Sequence, residues 1–160
     1  MKLAAMVLAA GVFVGGAAQA QSLYMVGMTD TGMVVAERDS IQWRDGRPRL
    51  KVHQIYNTPL AFEKTYGSGY DWVQRSVAEY EIDCQILQSR TLSFRFFTFD
   101  GLQSGGNGEV SEWTKFTPGS LMQDVRGLAC ENILPSDTHF ESLSYGAYIL
   151  YDVLNNPDDE

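Results

Sequence analysis

Only two cysteines, Cys84 and Cys130, occur in this chain, and they lie downstream of an export-type segment. In an oxidising compartment each of two thiols has one intramolecular partner, so a disulfide between them is expected, tying a strand to a helix. Its sequence separation of 130 − 84 = 46 gives about 4 kcal/mol on the chain-entropy model. The cysteines frame a block reading Glu81-Ile82-Asp83-Cys84, then Trp113, then Pro118-Gly119-Ser120, then Cys130.

Residues 1–20 have the three-part layout of a secretory signal. Lys2 is the positive start, residues 3–14 are an apolar run, and small residues end at Ala18-Gln19-Ala20, with cleavage expected after Ala20. A membrane anchor needs about 20 predominantly apolar residues, whereas Gly11, Gly15 and Gly16 interrupt this run. No other stretch is apolar enough to span a bilayer, so no transmembrane segment is expected after cleavage. No cysteine stands between Met1 and Tyr80, so the thiol that a bacterial lipoprotein acylates is absent. The expected product is exported, periplasmic or secreted to the cell surface, and not lipid-anchored.

The chain beyond the signal has the size of one domain, expected over residues 21–155, with a disordered acidic tail over 156–160. Cleavage removes Lys2 and no acid, taking the net charge from −8 to −9. That sign opposes nucleic acid and anionic lipid surfaces.

Short β-branched and aromatic runs broken by Gly, Asp and Asn predict strands over 23–28, 33–38 and 49–56, with turns at 29–32 and Asp45-Gly46. Residues 66–70 suit a mobile loop. The clearest strand is 77–86: Ala78, Tyr80, Ile82, Cys84 and Ile86 alternate with Val77, Glu79, Glu81, Asp83 and Gln85, which points the Cys84 sulfur inward. Residues 90–99 repeat the pattern, with a parity change that predicts a bulge near Phe96-Phe97. Asp100-Gly101 is a tight-turn pair, residues 104–108 are expected as a flexible hairpin tip, and 109–116 as a returning strand.

The period then changes. Ser120 and Gln123 have capping-box spacing, and Leu121, Met122, Val125, Leu128 and Ala129 make one helical face. At about 100° per residue Cys130 lies opposite Leu121, so a bond to Cys84 requires the helix to end or unwind near Ala129, which Gly127 eases. A second helix is expected over 138–155, with Thr138 and Glu141 as its capping box and Phe140, Leu143, Ala147, Leu150, Tyr151 and Leu154 as its stripe. The Tyr, Ile and Val of 145–153 make a further strand its competitor.

Chemical signatures are sparse. His53 and His139 are the only histidines; no HxH or HxxxH pair supplies a metal site, and both are expected at the surface. No GxSxG elbow is present. Glu79, Glu81 and Asp83 are read as a solvated sheet face rather than paired acid-base groups. Neither metal nor cofactor is expected, and an enzyme is the minority reading. Of the aromatic residues, Tyr66, Tyr70 and Trp72 sit beside glycines and form the candidate recognition patch. Trp43 belongs to the same pool of aromatics from which a binding surface is made.

The stretch from Tyr80 to Cys130 resembles the surface-adhesin protein E domain of Gram-negative bacteria, through the cysteine block already quoted, Arg90, and the aromatic strand ending at Asp100-Gly101. Residues 34–41 and 49–56 look like the family's early strands. The resemblance implies an antiparallel sheet of about six strands with a helix packed on it, one disulfide, and Trp113 in the core as part of the family framework; with the segment 138–155 read above, the expected fold is α+β, mainly β, with one or two C-terminal helices. The resemblance also implies a non-enzymatic interaction protein that binds a protein partner, from the envelope or the host matrix, with a homodimer possible. The missing lipid-acceptor cysteine departs from the best-known adhesin of the family. The alternative is a periplasmic small-ligand-binding or envelope-maintenance protein, marked by an enclosed pocket lined by Tyr or Trp.

Overall fold

The computed structural model describes residues 22–63, 69–144, 146, 147 and 150. The expected signal (1–20), tail (156–160) and Tyr66 lie outside them. Among the described residues one eight-stranded sheet has the path β6-β5-β4-β3-β2-β1-β8, with β7 also pairing β5. The strands are β1 (Leu23–Thr29), β2 (Gly32–Arg44), β3 (Arg47–Glu63), β4 (Tyr70–Asp83), β5 (Gln88–Thr98), β6 (Gln103–Asn107), β7 (Thr114–Lys115) and β8 (His139–Phe140). Every pairing is antiparallel. The Asp45-Gly46 turn works because φ is positive at both positions, 51° and 75°, the twist that a two-residue hairpin loop needs.

The sheet has more strands than the expected six. Most of residues 104–108, expected as a flexible tip, falls in edge strand β6 (Gln103–Asn107), with the register shift between Phe96 and Phe97 beside it. Gly106 allows this, since a Cβ there would stand 2.3 Å from the Phe94 carbonyl oxygen. The expected strand 109–116 shrinks to β7. At its other end β4 stops at Asp83, whose Oδ1 accepts from the backbone N–H groups of Gln85 and Ile86 at 3.1 and 3.2 Å. Ile86, expected on the inner face, is therefore in a turn and exposed.

On one face Val26, Ala36, Leu50, Val52 and Ile82 form a core with Val125, Leu128 and Ala129. Helix α1 (Leu121–Arg126) gives way to a π-helical turn (Gly127–Glu131) that ends at left-handed Asn132. This is the loosening expected at Gly127. It brings Cys130 to the sheet, where it is bonded to Cys84 with the Cα atoms 5.9 Å apart. The capping box forms in part: Gln123 Oε1 accepts from the Gly119 N–H at 2.8 Å, while the buried Ser120 hydroxyl has no partner among the described residues.

The opposite face carries a second core of Leu23, Met33, Val35, Ile55, Phe140 and Leu150, against which Leu143 and Ala147 pack. The segment expected as a helix from 138 thus opens as β8. The outer edge of β1 pairs Leu23 with Phe140 and Tyr24 with His139 before helical residues follow at 143, 144, 146, 147 and 150. Tyr151 and Leu154 of the expected stripe lie outside the described residues. No helix among the described residues is long and apolar enough to cross a membrane.

Candidate functional site

The face opposite α1 becomes polar beyond the second core, because β3 offers Arg47, Arg49, Lys51 and His53 at alternate positions while β4 offers Asp83, Glu81, Glu79 and Val77 directly across. Arg47 Nε is 3.0 Å from Asp83 Oδ2. Glu81 receives Arg49 Nε at 2.8 Å on one oxygen and Arg90 Nε at 2.7 Å on the other. The indole of Trp113 covers this ladder, 5.3 Å from the Arg47 guanidinium carbon and 4.7 Å from that of Arg90.

Two expectations are corrected here. Glu81 is only 3% exposed and Asp83 is also buried, so these acids are not a solvated face. They are buried because the arginines of both flanking strands satisfy them. Trp113 is half-buried as a lid on charged groups rather than a core residue, since the Arg47 and Arg90 guanidinium groups lie over its ring. Burial raises the Glu81 carboxyl, but the bonds from Arg49 and Arg90 outweigh it and leave the group below its ordinary value. Asp83 is lowered first by the Ile86 N–H and then by Arg47.

Beyond the ladder the same face is a cleft of about 240 Å³, lined in part by Lys51, Arg75, Arg95 and His53. His53, expected at the surface, is 3% exposed. Its Nε2 is 3.0 Å from Glu37 Oε2 and its Nδ1 3.3 Å from Arg75 Nη1. Arginine only donates, so Nδ1 accepts and Nε2–H donates to Glu37. Burial above all keeps the imidazole below its ordinary value, and the histidine bond lowers Glu37. Both ring nitrogens are thereby engaged, and among the described residues their partners are Glu37 and Arg75 rather than a serine. Among the described residues no group of three or more His, Cys, Asp or Glu is placed to hold a metal ion. His139 is exposed beside the ring of Tyr24, as expected.

Of the candidate recognition patch, Tyr70 and Trp72 are exposed on the first turn-side residues of β4, Trp72 by 60%. Val73 pairs with Thr98, which places Trp72 beside the end of β5, where Phe99 is 83% exposed and Leu102 is exposed on the following turn. Sequence reasoning missed Phe99 and Leu102; the Asp100-Gly101 turn is the signal that sets them outward. Trp43 is exposed elsewhere, near the end of β2. The place where the alternative reading puts its pocket, between the sheet and α1, holds a cavity of about 220 Å³ with Tyr80, Phe94, Leu121 and Met122 on its walls.

The family model described as surface-adhesin protein E matches residues 23–131. Among solved structures the chain is similar to crystal form II of Haemophilus influenzae protein E, with a TM-score of 0.55 and 12% sequence identity, covering 80% of this chain and 98% of that one. No curated protein matches the sequence.

Proposed function

The chain belongs to the surface-adhesin protein E family, and on that premise we propose that it is an exported, non-enzymatic interaction module that binds a protein partner at the cell envelope or on host matrix. The observation that carries this reading is the aromatic and apolar end of the sheet, where Tyr70, Trp72, Phe99 and Leu102 all face solvent on adjoining strand ends. Large rigid side chains with exposed apolar area are the residues that anchor protein interfaces. Tyr66 is included in the proposed patch on sequence alone. The acidic charge speaks against nucleic acid, and the engagement of both His53 nitrogens speaks against nucleophilic chemistry at that residue. In the same reading residues 1–20 are removed, residues 21–155 form one domain, and the product stays free of a lipid anchor.

The test is solid-phase binding of the purified, exported chain to matrix and serum proteins, with Trp72→Ala/Phe99→Ala alongside. We expect saturable binding to at least one of them and a loss of about tenfold or more in the double variant, the size of one interface hot spot. Binding that the variant retains in full would remove the patch from the account; absence of binding to every protein tried would remove the adhesin reading.

A further inference from the structure

We propose that the cleft beside the ladder is a binding site for a small carboxylate with an apolar body. Ten charged groups share this face by strand register: Arg47, Arg49, Lys51, Arg75, Arg90 and Arg95 against Glu37, Glu79, Glu81 and Asp83. A surplus of cations is unexpected on a chain whose net charge is −8. Half of that surplus sits at the cleft. All three ladder arginines have a carboxylate partner, whereas Lys51, Arg75 and Arg95, which line the cleft, have none within ion-pair distance among the described residues.

Arg75 is the centre of the site because it is already oriented. Its guanidinium carbon lies 4.1 Å from the centroid of the Phe97 ring, and Nη1 is spent on His53. The remaining N–H groups form the fork that a carboxylate accepts in bidentate fashion. Glu37, the nearest acid by charge, is engaged by the histidine instead. Burial lowers the tendency of Arg75 to carry its charge, and an anion in the cleft offsets that cost. Glu79 lines the cleft as well and bonds the Ser93 hydroxyl at 3.4 Å. Three cations against Glu37 and Glu79 leave one positive charge to match, which suits a monoanion.

The apolar body follows from what adjoins the head site. Arg75 and Leu143 also line a second cleft of about 340 Å³, whose walls mix Ile55, Phe99 and Ala147 with Gln74, Thr98 and two serines, so that hydrocarbon meets an apolar strip along it. Together the two clefts reach the usual size of small-molecule sites, roughly 300–1,000 Å³. A carboxylate on Arg75 therefore directs its hydrocarbon along the start of the C-terminal helical segment.

The site is tested by titrating the purified chain, disulfide intact, with octanoate and with octylammonium below their aggregation concentrations, following amide and arginine side-chain NMR signals. Octanoate is expected to give saturable shifts at Arg75, Phe97 and Leu143, weakened about tenfold in Arg75→Gln, the loss of one charge-assisted pair. Arg95→Gln, at an exposed position, is expected to weaken it severalfold, and Lys115→Gln, a cation far from the cleft, to leave it unchanged. Octylammonium acting on the same signals with equal affinity overturns the proposal. So does octanoate that never saturates, or octanoate that binds Arg75→Gln and Arg95→Gln as it binds the parent chain.

Discussion

The two faces of the sheet solve the same burial problem with opposite materials. Under α1 the face is hydrocarbon, Leu50, Val52 and Ile82 against Val125 and Leu128, and it is stapled by Cys84–Cys130. The other face buries hydrocarbon on β1, on β2 and at Ile55 of β3; along the rest of β3 and across β4 and β5 it carries charge in register. A short helix holds its face because the tether removes most of the cost of keeping it there. The charged face holds where each ion meets its partner, and where Lys51, Arg75 and Arg95 have no ion pair among the described residues it is left open. Stability and recognition thus occupy different rows of one surface.

The comparison predicts that the clamped face fails hardest. Reducing the disulfide, or replacing both cysteines with alanine, is expected to cost about 4 kcal/mol, read as a fall in the urea midpoint. An unchanged midpoint would show that hydrocarbon alone holds α1.

Next in size is the ladder. Glu81→Gln leaves Arg49 and Arg90 facing a neutral amide; because both arginines keep partial access to water, the loss is expected to be about 2–3 kcal/mol, below the range for fully buried pairs. A loss under about 0.5 kcal/mol would mean that Trp113 and the backbone pairing suffice without the charges.

Acidification sharpens the contrast, because every resolved histidine and carboxylate shift on the charged face is downward. His53 is held below 6.5, so the unfolded chain takes up its proton first; stability is fully present above that pH and declines below it. One proton gives a slope of at most about 1.4 kcal/mol per pH unit. A further loss begins near 4.5 as Glu37 and Glu81 are protonated, each lying below that value in the folded chain. In His53→Gln the first decline is expected to vanish and the second to remain. Urea midpoints measured across pH check both, and a parent chain equally stable at pH 7 and 5.5 contradicts the assignment of His53.

Much of the clamped face is legible in the sequence. The alternation through Tyr80, Ile82 and Cys84 gives the inward side of β4, the Pro-Gly-Ser corner gives the start of α1, and Gly127 marks where it loosens. The charged face is not legible strand by strand, because acids on alternate positions look solvated until a neighbour supplies their partners. Only Arg47, Arg49, Lys51 and His53 read against Asp83, Glu81 and Glu79 reveal a complementary ladder. Residues 103–107 escaped because glycine pairs through its backbone and leaves no hydrophobic pattern. Trp113 escaped because a lone tryptophan does not show whether it meets hydrocarbon or guanidinium.

The division of one sheet face into a row that holds the fold and a row that does not is tested most directly by urea unfolding of Arg49→Gln and Arg95→Gln side by side. Arg49→Gln breaks a ladder pair and is expected to cost about 1.5 kcal/mol, scaled down from a buried pair for its partial exposure. Arg95→Gln removes an exposed cation with no ion pair among the described residues and is expected to stay within about 0.5 kcal/mol of the parent chain. Equal losses, or the larger loss at Arg95, would contradict the account.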